Sequence, residues 1–68
     1  MELSVATKKA IIEERLNKLV EDKFKFELNY RFSVEQDQAE AIDQFKRAID
    51  GANVAIEFHK KELASLEG

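Results

Sequence analysis

Sixty-eight residues with no cysteine, no proline, two glycines, 37% charged side chains and a net charge of −3 exclude a disulfide scaffold, a thiolate metal site and a flexible Gly/Pro linker. The length allows one small domain, 1–68, and a chain of about 60 residues buries only roughly 60% of the surface its unfolded form exposes. With no covalent or metal staple in view, self-association is the expected source of further stability.

The opening MELSVATKKA is polar and mixed in charge, without the apolar run of a signal peptide or a membrane span. A cytoplasmic setting without membrane partners is therefore expected. The acidic balance argues against a phosphate backbone as ligand, so nucleic acid is not the expected partner. Charge is uneven along the chain: residues 1–33 sum to +1 and residues 34–68 to −4.

The first expected element is a helix over about 5–22. Ser4 or Thr7 can cap it, and Val5, Ile12, Leu16, Leu19 and Val20 recur at helical spacing. Glu14 and Lys18 form an i,i+4 pair in the favoured order. Lys8, Lys9, Arg15 and Lys18 are interleaved with Glu13, Glu14, Glu21 and Asp22, the pattern of a solvated face.

From Phe24 to Phe32 the chain alternates strictly. Phe24, Phe26, Leu28, Tyr30 and Phe32 fall on one side, with Lys25, Glu27, Asn29 and Arg31 on the other. Such alternation with four aromatics predicts a short strand over about 24–32. A helical reading stays open: Phe26 and Tyr30 would continue the face of Ile12, Leu16 and Leu19, and Phe24, Leu28 and Phe32 would form a second stripe facing elsewhere. A lone strand cannot satisfy its own backbone, so the strand reading demands pairing with a second copy.

Ser33-Val34-Glu35-Gln36 fits the S-x-x-[EQ] capping box and predicts a helix start. From Ala41 the chain reads AIDQFKR, AIDGANV, AIEFHKK, ELASLEG. Ile42, Phe45, Ile49, Ala52, Ile56, His59, Leu63 and Leu66 thus alternate at spacings of three and four, the a/d seam of a heptad. Ala41, Ala48 and Ala55 widen the stripe enough for a second helix to pack close. Asp43 with Arg47 and Glu57 with Lys61 add i,i+4 pairs. Asp50-Gly51 offers a place to bend or break, with Asn53 as a new cap, yet the heptad phase passes through it without a slip. One long helix over about 34–66 is expected.

Chemistry is sparse. His59, the single imidazole, sits on the seam and reads as a half-buried packing residue. His59 and Glu62 alone do not make a bundle metal site, which draws several carboxylates from seam positions. No phosphate loop, no nucleophile beside a base and no zinc-binding helix motif occurs. No enzyme activity, metal or cofactor is expected.

A strand followed by two helices resembles the ribbon–helix–helix DNA-binding proteins, whose paired strands enter the major groove. The resemblance implies Lys25, Glu27, Asn29 and Arg31 as the groove-facing set, Ser33 opening the first helix and Gly51 to Asn53 as the turn between helices. Against it stand the acidic balance and a carboxylate, Glu27, in the middle of that set.

The reading favoured by the residues is a mainly α, dimeric or higher homo-oligomeric helical assembly that binds another protein. Interface candidates are Phe24, Phe26, Leu28, Tyr30 and Phe32 from the alternating segment, and Ile42, Phe45, Ile49, Ile56, His59, Leu63 and Leu66 from the seam. Small acidic helical proteins of this type serve as assembly factors, adaptors or inhibitors in bacteria and their phages, an analogy of form alone.

Overall fold

Two long helices lie antiparallel against each other in a computed structural model that describes residues 2–67; the two end residues of the expected 1–68 domain lie outside that range. Helix α1 runs Val5–Glu35 and α2 runs Ala39–Glu67, and the hairpin measures 51 × 18 × 14 Å. At 1.5 Å per residue a helix of this length spans about 45 Å, so each helix accounts for nearly the whole long axis.

The start of α1 is where the sequence places it. Ser4 is extended, with φ −68° and ψ 159°, and its hydroxyl accepts the Thr7 amide at 3.1 Å. Thr7 is inside the helix, so of the two cap candidates Ser4 fills the role.

The strand over 24–32 is absent, and with it the ribbon that the DNA-binding resemblance requires. α1 continues through all nine of those residues. On a helix, residues two apart point about 200° apart, whereas residues four apart share a side. The alternation is therefore two interleaved i,i+4 rows: Phe26 and Tyr30 turn inward and are half-buried, while Phe24, Leu28 and Phe32 turn outward and are exposed. Lying inside one continuous helix, these nine residues have their backbone groups satisfied within α1, which a lone strand could not do.

The capping box at Ser33 is also overturned. Ser33 is the most buried residue described, at 2% exposure, and its hydroxyl donates to the Asn29 carbonyl at 2.8 Å, one turn back within α1. The chain reverses three residues later. Asp37 takes the left-handed conformation, φ 54°, with its amide donating to the Val34 carbonyl at 3.1 Å and the Gln38 amide to the Ser33 carbonyl at 3.0 Å. These are the two bonds of a Schellman ending, with aspartate in the position glycine usually holds. α2 follows at Ala39, five residues later than the expected start near 34, and the Gln38 carbonyl accepts its first bond from Ile42.

The seam of α2 is as the heptad predicts. Ala52 and Ile56 are buried, each 7% exposed, and Ile42, Phe45, Ile49, His59, Leu63 and Leu66 are half-buried along the same stripe. Ala41, Ala48 and Ala55 are half-buried beside it. α1 answers with its own heptad phase: Lys9, Ile12, Leu16, Leu19, Lys23, Phe26, Tyr30 and Ser33 run inward three and four apart, with Asp22 and Glu27 half-buried beside them. Two helices with matched seams pack as an antiparallel pair.

Gly51 lies within α2 and breaks nothing, so the turn at Gly51 to Asn53 does not form. Its side faces open space, with no atom within 4 Å of where a Cβ would sit. Gly51→Ala is expected to stabilise the fold by about 0.4–1 kcal/mol by restricting the unfolded chain. That corresponds to a rise of about 4–8 °C in melting temperature per kcal/mol for a small domain. A lower melting temperature by circular dichroism would contradict a helical Gly51.

Candidate protein-binding surface

The twelve interface candidates divide into two groups. Phe26, Tyr30, Ile42, Phe45, Ile49, Ile56, His59, Leu63 and Leu66 lie on the two seams and hold the hairpin together. Phe24, Leu28 and Phe32 point away from that contact, 54%, 48% and 59% exposed.

Val20, which the sequence places on the inner face of the first helix, is 54% exposed and extends the outer group. Val20, Phe24, Leu28 and Phe32 then form one i,i+4 row about 18 Å long. An i,i+4 row drifts about 40° per step, so it crosses the outer side of α1 obliquely rather than running straight along it. Arg31, Val34 and Glu35 edge a shallow depression at its C-terminal end, beside Leu28 and Phe32. The row is readable as i,i+4 spacing once the segment is taken as helix.

α2 carries a smaller apolar feature that the heptad does not mark: Val54 and Phe58, 72% and 58% exposed, flanked by Asn53, Glu57 and Lys61. At the open end of the hairpin Leu3 and Ile11 add a third patch, near Glu62 and Leu66. Scattered exposed apolar residues are ordinary on a folded surface, but four large ones in a continuous row are not.

Charges ring these patches without converging on a point. Lys18 meets Asp22 at 2.9 Å, Lys25 meets Glu21 at 3.6 Å, Arg47 meets Asp43 at 3.1 Å and Lys60 meets Glu57 at 3.7 Å. Asp43–Arg47 is the pair expected from sequence. Lys18 turns forward to Asp22 instead of back to Glu14, and Glu57 reaches Lys60 instead of Lys61. The hydrogen bond to Asp22, aided by its charge, raises the Lys18 pKa above the ordinary lysine value. Among the described residues one ion pair joins the helices, Lys9 to Glu67 at 3.1 Å, near the open end.

His59 behaves as a packing residue. Half-buried, it places Nδ1 2.7 Å from the Ala55 carbonyl. A carbonyl only accepts, so Nδ1 carries the proton in this bond. Its ring meets the Phe58 ring edge to face at 5.5 Å, and it lines a surface depression with Leu19 and the two cations Arg15 and Lys18, which would repel a metal ion. Among the described residues no group of three or more His, Asp or Glu side chains is placed to hold a metal ion, and no helix is long and apolar enough to cross a membrane. No buried side-chain N or O atom among them lacks a hydrogen-bond partner.

No protein-family model matches this chain, and no curated protein and no solved structure matches it either.

Proposed function

We propose that the chain is a non-enzymatic protein–protein interaction module, a helical hairpin that serves as an assembly factor, adaptor or inhibitor in the cytoplasm. The observation that carries this reading is the exposed row Val20, Phe24, Leu28 and Phe32 on a helix whose other face already holds the hairpin together. These four side chains contribute little to hairpin packing, and keeping them in water is costly: fully burying one such side chain is worth about 1.5–3 kcal/mol. A surface with that composition fits an apolar partner, and the neighbouring acids and bases supply a polar rim. The net charge of −3 also favours a protein partner over a polyanion.

The test is a photo-crosslinking amino acid placed at Phe24, and separately at Phe58, in the chain expressed in cells. Adducts at Phe24 should contain protein. Adducts made of nucleic acid and no protein would overturn the reading.

A further inference from the structure

The hairpin exposes 5421 Å² for a mass of 7.8 kDa. A compact monomer of that mass exposes about 4,400 Å², so the hairpin carries an excess of about 1,000 Å². A stable interface takes roughly 800 Å² from each partner. One interface of standard size therefore returns this chain to ordinary compactness, and two helices in a single layer supply no other way to do so.

Resting on the protein-binding reading above, we propose that the occupant of the Val20–Phe32 row is a second copy of this chain, α1 against α1 about a two-fold axis level with Phe26. Such an interface must be self-complementary, because the same patch appears on both sides. The row meets that condition in position. Val20 and Phe32 lie six residues either side of Phe26, and Phe24 and Leu28 two residues either side, so the two-fold sets each against the other member of its pair. The charges meet it as well. The exposed Glu21 and Arg31 lie five residues either side of Phe26, so antiparallel packing sets opposite charges together, whereas parallel packing lays like on like. Rows of i,i+4 side chains that interdigitate bring helices together at about −50°, which joins the two hairpins through α1 and leaves α2 on the outside of each.

The native chain has no cysteine, so engineered thiols report without background. An equimolar mixture of Phe24→Cys and Leu28→Cys chains is oxidised and read by mass spectrometry. Random coupling would make the mixed dimer equal to the two homodimers together, so the 24–28 dimer should exceed their sum, and a Val54→Cys chain should remain uncoupled. Sedimentation equilibrium of the native chain at micromolar concentration should give twice 7.8 kDa, and a Phe24→Ser, Leu28→Ser double variant should lose that doubling. A native chain that is folded and monomeric overturns self-association, while crosslinks to a different protein from Phe24 would leave the protein-binding reading standing. A dimer that survives the double serine variant, or that couples 24 to 24 and 28 to 28, overturns the antiparallel α1 contact. If the serine variant unfolds, the mixed thiol pair alone decides the register.

Discussion

Ile56→Asp is expected to unfold the hairpin. Ile56 is 7% exposed at the middle of the α2 seam, next to the equally buried Ala52 one turn away. Truncating a buried isoleucine already costs about 2–5 kcal/mol, and the new carboxylate must either remain charged out of water or take up a proton. A chain of this size has about 3–10 kcal/mol of stability in total, so far-UV circular dichroism at room temperature should show most of the helical signal gone. Val54→Asp is the matched control. Val54 lies two residues earlier, about 200° around the same helix, and is 72% exposed. It should change stability by no more than about 0.5 kcal/mol. Equal damage from the two substitutions, or none from either, would contradict the orientation of α2.

That contrast also marks where the sequence is easy to read. α2 has one long apolar stripe, with only the short Val54–Phe58 pair off it, so its seam residues repeat at three and four and the phase through Gly51 points to one unbroken helix. α1 has two, because Phe26 and Tyr30 serve the hairpin while Phe24, Leu28 and Phe32 serve the outside. Two rows on opposite sides of a helix, offset by two residues, produce the same string as one face of a strand. Local pattern does not separate these cases; what separates them is the supply of backbone partners, and the remainder of the chain offers no second strand. The turn was hidden for a different reason. Its left-handed residue is Asp37 rather than glycine, and Gln36 to Gln38 contains neither glycine nor proline, the strongest punctuation. Three members of the outer row, Phe24, Leu28 and Phe32, are among the interface candidates but mixed with residues that belong to the seam, and the fourth, Val20, is not among them. Only the helical register sorts one set from the other.

Ser33 gives the last and sharpest contrast, since two readings of one residue lead to opposite mutational results. A serine that caps a helix loses about 0.5–2 kcal/mol on replacement by alanine, and aspartate at the same place is as good a cap as serine. The structure has Ser33 at 2% exposure in the final turn of α1, between its own helix and α2, with its hydroxyl bonded to the Asn29 carbonyl. That carbonyl is also a helical acceptor in its own right, so the hydroxyl bond is a supplement to the ladder, of the kind that slightly bends a helix rather than holding it. Ser33→Ala should therefore be nearly neutral, within about 0.5 kcal/mol. Ser33→Asp should be severe, because a carboxylate would be enclosed where the helices approach closely beside the turn, at a cost of several kcal/mol. Thermal melts of the two variants decide the matter by order alone. Alanine above aspartate by tens of degrees fits a buried packing serine, and aspartate above alanine would restore a helix start at Ser33 and remove the turn at Asp37.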